Sequence, residues 1–187
     1  MLGHTYDVQP VPPDPEHTRY LDAGVLRIGV EYRVVDPEAL AAAYEGDDLA
    51  EIQEHSPEGG FNDEGLSIHV IATADGHEYL RFDAFEDEPH YHYVDRAAGT
   101  NTIVGHDPAA HGPVLPWVMH ALRHRLDPML RAAGAEKVAD SLEPDAGATV
   151  AELVSAHLAS LGVHPPEHTP SPGGTGDPAE DHPGAAS

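Results

Sequence analysis

The chain has 187 residues, with 33 acidic side chains against 9 basic ones and no cysteine, for a formal charge of −24. Disulfides and thiolate metal sites are therefore excluded. So much negative charge repels phosphate backbones and anionic headgroups, so neither nucleic acid nor a membrane surface is an expected partner. It favours cations, a basic protein partner, or a salt-rich setting that screens self-repulsion.

The first 23 residues contain four prolines and no sustained period, and read as an irregular arm. Residues 24–162 read as a single domain, and they hold 25 acidic against 8 basic side chains, so the acidity belongs to the folded part. Residues 25–35 are rich in β-branched side chains and partly alternate: a first strand. Asp36-Pro37-Glu38 then offers an N-cap, a proline at the first helical position and an acid in the first turn, predicting a helix to about Tyr44 that resumes over Leu49–Glu54. Ser56-Pro57-Glu58-Gly59-Gly60 closes it with turn chemistry.

Leu66–Ala74 and His77–Phe85 read as two strands around Asp75-Gly76, a pair suited to a two-residue type I′ turn. That turn sets Ile71 opposite Leu80 and His69 opposite Phe82 on the face expected to meet the helices. His90–Val94 and Thr100–Asp107 follow as two short strands, and Gly112-Pro113 ends the sheet. From Leu115 to Ala133 the apolar residues fall on one stripe of a helical wheel, with Gly134 as C-cap. A last helix is predicted from a capping box at Thr149–Glu152 to Gly162. Residues 163–187 are Pro/Gly-rich and acidic and read as a disordered tail. The fold class that follows is α+β: an antiparallel sheet of four or five strands with two or three helices packed on one face. The N-terminus lacks a basic segment leading into an apolar run, and no apolar stretch is long enough to span a bilayer; cytoplasmic is the expected location.

Fifteen histidines need sorting. Those in the arm and tail have no rigid surroundings. His120 and His124 share a helix face at i and i+4, but Ala121 stands where a zinc hydrolase carries glutamate, which favours a solvated face. His90 and His92 are two apart on a strand, so they share a face, with Tyr91 and Tyr93 on the other. His106-Asp107 and His111 arrive on the next strand and loop. Three imidazoles and a carboxylate are a ligand set for zinc, manganese or iron, with His90, His92, His106 and His111 as candidate ligands. The same groups could instead transfer protons, or form a hydrogen-bonded cluster that stabilises the sheet. Asp83 and Asp107 are the candidate base or orienting carboxylates. Arg81, one of few cations, is a candidate anion clamp, against the plainer reading of a salt bridge with Asp83. No serine sits in a G-x-S-x-G context, and no glycine-rich phosphate loop is present.

The run Leu80-Arg81-Phe82-Asp83-Ala84-Phe85-Glu86-Asp87-Glu88-Pro89-His90-Tyr91-His92-Tyr93, with His106-Asp107, His111-Gly112 and Trp117 after it, resembles an uncharacterised family of small prokaryotic domains of unknown function over roughly residues 25–135. The resemblance implies a shared fold and brings no activity, cofactor or catalytic residue with it. A fainter similarity is to toxin-type proteins of toxin–antitoxin pairs, from which this chain departs in its acidity and its single lysine, Lys137. Two functions are expected from these residues. One is a small ligand- or partner-binding accessory module that uses the His/Tyr-rich sheet. The other is a divalent-metal-dependent, hydrolytic enzyme built on the histidine cluster.

Overall fold

The computed structural model of the protein describes residues 3–56 and 60–164. Within them, β1 (His4–Tyr6), β2 (Arg19–Ala23), β3 (Leu26–Val35), β4 (Asp63–Ala72), β5 (Glu78–Phe85), β6 (His90–Asp95) and β7 (Thr100–Gly105) form one sheet. Its order is β1-β7-β6-β5-β4-β3-β2, and every neighbouring pair is antiparallel. The fold class is α+β, with seven strands rather than the four or five expected. The two extra strands both come from the segment expected as an irregular arm. Neither carries an alternating pattern of its own, and each exists by pairing with a longer neighbour, β7 or β3, which is tertiary context and not local propensity.

Helices α1 (Pro37–Ala43), α2 (Gly46–Glu54), α3 (Pro108–His111), α4 (Val114–Ala132), α5 (Glu136–Ala139) and α6 (Ala146–Ser160) complete the described residues. None is long and apolar enough to cross a membrane. The Asp36 carboxylate caps α1 by accepting from Ala39 N, as its sequence demands. The capping box at Thr149 does not form: α6 begins a turn earlier, at Ala146. Gly147 lies in that first turn, and a Cβ there would stand 2.5 Å from the Arg123 carbonyl of α4; only glycine lets the two helices approach so closely. The expected tail falls mostly on residues 165–187, and part of the turn after α2 on residues 57–59, all outside the described residues.

The β4–β5 hairpin departs from the two-residue turn. Ala72 and His77 close a four-residue loop, Thr73–Gly76, with Gly76 at φ +69°. A bulge follows: Val70 faces Leu80 but Ile71 faces Glu78, so Tyr79 is the extra residue. The register therefore slips by one residue from that expected. Ile68 and Val70, not His69 and Ile71, join Phe82 and Leu80 on the helix-facing side, and His69 falls opposite Arg81 on the reverse side.

On the helix-facing side, Leu26, Ile28, Val30, Ile68, Val70, Leu80 and Phe82 are almost fully buried. They pack with Val118, Ala121, Leu122, Leu126 and Leu130 of α4 and Val150, Val154 and Leu158 of α6. α4 rests on β5 and β6, and α6 on β2 and β3.

The reverse side is covered differently. β1 and β2 lie at opposite edges, so residues 7–18 must pass from one edge to the other. Six inter-strand steps span about 29 Å, within reach of these twelve residues extended at about 3.1 Å each. Pro10, Pro12, Pro13 and Pro15 favour that extended form and leave fewer backbone N–H groups to satisfy. This strap is fastened from below: Arg81 Nη2 donates to Val11 O (2.6 Å), and Arg33 donates to Val11 O and Pro12 O. From outside, Tyr44 at the end of α1 donates its hydroxyl to Gln9 O, and the Glu51 carboxylate of α2 accepts from Asp7 N.

Candidate metal centre

Strand alternation puts Glu31 and Arg33 of β3, Ser67 and His69 of β4, Arg81 and Asp83 of β5, and His90 and His92 of β6 on the strap side. Glu78 joins them only because of the bulge; regular alternation would turn it toward the helices. Most of these side chains are buried, and they divide into two groups.

The first group centres on Asp83. Asp83 and His90 are directly paired across β5 and β6, and His92 is the next same-side residue. His92 Nε2 lies 3.0 Å and His90 Nε2 3.3 Å from Asp83 Oδ2, while Ser67 Oγ donates to Asp83 Oδ1 (2.5 Å). One ligand atom from each of Asp83, His90 and His92 falls within 4.8 Å of the others. The outer nitrogens fix the ring orientations. His90 Nδ1 is 2.7 Å from the Glu88 carbonyl, which can only accept, so Nδ1 carries a hydrogen and a neutral ring turns the Nε2 lone pair inward. His92 Nδ1 is 2.8 Å from Asn101 Oδ1, an arrangement of the same kind.

Three acceptor atoms thus converge in a buried place, and such a set requires positive charge among them. Without metal it is a proton. Burial alone pushes the Asp83 carboxyl up, but the His90 and His92 imidazoles beside it outweigh that and hold the group well below the usual carboxylate range. Burial also opposes protonation of His90; the Asp83 carboxylate outweighs it, and the pKa rises above the ordinary histidine value. For His92 burial prevails and the pKa is lowered. One proton on His90 Nε2 is then donated to the Asp83 carboxylate.

A family model described as "Domain of unknown function (DUF7700)" matches residues 20–157. The chain belongs to that family. Asp83, His90 and His92 all lie in the matched span of this DUF7700 chain, whereas the strap, residues 7–18, precedes it. No curated protein matches the chain, and no solved structure does.

The second group runs from the strap to Arg81. Glu31 Oε2 accepts from Thr18 Oγ1 (2.6 Å) and Asp14 N (3.1 Å), while its Oε1 lies 3.0 Å from His69 Nε2. His69 Nδ1 is 2.6 Å from Glu78 Oε1, and Glu78 takes both Nε and Nη2 of Arg81. Burial pushes His69 toward the neutral form, and its hydrogen bonds to Glu31 and Glu78 outweigh that, so its pKa is raised. Glu78 is likewise pushed up by burial and brought well below the carboxylate range by the Arg81 charge.

The four-histidine set does not assemble. His106 follows β7 with its ring 5.1 Å from Trp117 of α4, and Nε2 donates to Gly112 O at 2.8 Å. It therefore lies toward the helix side, away from His90 and His92, and His111 is beside it with ring centroids 5.7 Å apart. Asp107 caps α3, accepting from Ala109 N and Ala110 N. Arg81 is bound to Glu78 and the strap, so neither a salt bridge to Asp83 nor a clamp for a free anion describes its hydrogen bonds. Tyr91 and Tyr93 face the helices, with Tyr91 5.0 Å from Trp117, so the histidines and tyrosines do not share a surface. Glu31, His69, Glu78, Ser67 and Asn101 were not anticipated. Polar residues that alternate with Val30, Ile68 and Val70 ordinarily mark a solvated face, and only the strap makes this one interior.

Proposed function

We propose that this protein is a divalent-metal-binding domain whose ion is held by Asp83, His90 and His92. The observation that supports the reading is the convergence of one carboxylate oxygen and two inward-turned imidazole nitrogens within 4.8 Å, in a place with too few hydrogens for its acceptors. A dication satisfies all three at once. The outer partners of the rings, Glu88 O and Asn101 Oδ1, are the kind of groups that orient ligating histidines, and Ser67 holds the second Asp83 oxygen aside. Two imidazoles and one carboxylate suit zinc, iron or manganese better than calcium, which prefers six to eight oxygens.

The test is metal analysis of protein purified without an affinity tag, with thermal melts in the presence and absence of chelator. The expected result is about one equivalent of a transition metal and a melt lowered by the chelator. His92→Ala and Asp83→Asn should each remove the ion. Metal-free protein that takes up no zinc, iron or manganese on addition would sink the reading.

A further inference from the structure

We propose that an ion at Asp83, His90 and His92 keeps coordination positions open on its strap side and fills them with a small anion; this rests on the metal-binding reading above. All three ligands rise from one side of two adjacent strands, so they occupy one hemisphere of the ion. Zinc would retain one further position and six-coordinate iron, manganese or cobalt three. Among the described residues no fourth histidine, aspartate or glutamate converges on the three. The remaining positions therefore fall to a ligand from solution.

Charge selects an anion. The buried face carries the carboxylates of Glu31, Asp63, Glu78 and Asp83 against the guanidiniums of Arg33 and Arg81, and a dication added to these brings the sum to zero. Protonated His69, with a carboxylate oxygen against each ring nitrogen, leaves one positive charge in excess. Both arginines lie within electrostatic reach of Asp83, and a low-dielectric interior penalises uncompensated charge heavily. The acidic Glu86–Glu88 loop is exposed, where water and salt screen it. A monodentate anion, either inorganic or a carboxylate, neutralises the site and completes the coordination in one step.

The experiment uses the full chain, stripped of metal, loaded with cobalt(II) and titrated with azide and with acetate, while the visible d–d absorption is followed at constant ionic strength. The expected result is a saturable spectral change with both anions. In Arg33→Gln the anion affinity should fall by roughly tenfold, the effect of removing one charge at moderate distance, with cobalt still bound. Bound cobalt whose spectrum ignores both anions overturns the open-site proposal and leaves a closed metal centre. Should Arg33→Gln misfold, the wild-type titrations decide alone. Cobalt that fails to bind, or that binds equally well to His92→Ala, instead overturns the metal-binding reading itself.

Discussion

Across β4 and β5, Ile68 and Val70 meet Phe82 and Leu80 on one side of the sheet, while Ser67 and His69 meet Asp83 and Arg81 on the other. Both sets are buried, the first under helices and the second under a proline-rich strap. On the helix side stability accumulates by area, about 1.5–3 kcal/mol for each large side chain fully buried. On the strap side each group is held only while its partner is present. Burial costs every charge its hydration, and the return comes entirely from the neighbouring residue. The difference shows why one side is structural and the other is the candidate site: a face of converging, mutually dependent charges can exchange a proton for an ion.

The largest effect should come from separating one partner from the rest. Arg81→Met leaves the Glu78 carboxylate buried beside His69 alone and the Val11 carbonyl with only its longer bond from Arg33, and should cost about 3–5 kcal/mol in urea unfolding. Replacing Glu78 and Arg81 together by methionine should recover more than half of that loss, because no lone charge remains. If the double variant is as unstable as the single one, mutual dependence is the wrong description of this side.

Leu122→Ala tests the other side. Leu122 is fully buried between α4 and the sheet, and its truncation should cost about 2–5 kcal/mol, depending on how far the helices close the cavity. Cobalt uptake at 25 °C should be unchanged. Loss of uptake in a variant that is still folded would mean that the two sides act as one unit.

A pH series sharpens the contrast, since the helix side has almost nothing to titrate. Glu31, Glu78 and Asp83 have lowered pKa values, so their contribution is present above the unfolded carboxylate range near 4 and is lost as pH falls through the folded values. His69 and His90 have raised values, so theirs is complete below the unfolded value near 6.5 and is lost as pH rises through the folded values. His92, with its pKa lowered, works in the opposite sense and blunts the alkaline limb. Metal-free protein should therefore be most stable in mildly acidic solution. His69→Gln should flatten part of the alkaline limb while leaving the acid limb dominant. An alkaline slope identical to that of the wild type would show that His69 is not the imidazolium between Glu31 and Glu78.

How far the sequence disclosed this division depends on whether the information was local. Strand β3, the Asp36 cap of α1 and the apolar stripe of α4 are written in periods and caps, and all three formed. So did the shared face of His90 and His92, which strand alternation alone dictates. The hairpin register was not legible, because Asp75-Gly76 marks the turn but says nothing about the bulge at Tyr79. That bulge put Glu78 on the strap side. The Glu31–His69–Glu78 chain was hidden for the same reason, and because Glu31 and His69 are 38 residues apart. The prolines of the arm were plain, but its path across the sheet follows from β1 and β2 occupying opposite edges, which only the complete pairing order reveals.

The smallest predicted effect probes the contact between strap and sheet. Gly29 sits on the strap side of β3, where a Cβ would lie 2.9 Å from Thr18 Cγ2 and 3.3 Å from Cβ and Cδ2 of His69. Its backbone is not left-handed, so alanine there is limited by space alone. In Gly29→Ala two effects compete: a less flexible unfolded chain stabilises by about 0.4–1 kcal/mol, and crowding costs about 1–3 kcal/mol. Crowding should win by roughly 1 kcal/mol, because Thr18 is held in place by its 2.6 Å hydrogen bond to Glu31 and His69 by two carboxylates. Adding Thr18→Ser removes the offending methyl and keeps the hydroxyl. The double variant should then melt at or above the wild type, and a melt no better than that of Gly29→Ala alone would mean that the strap does not bear on the sheet at this point.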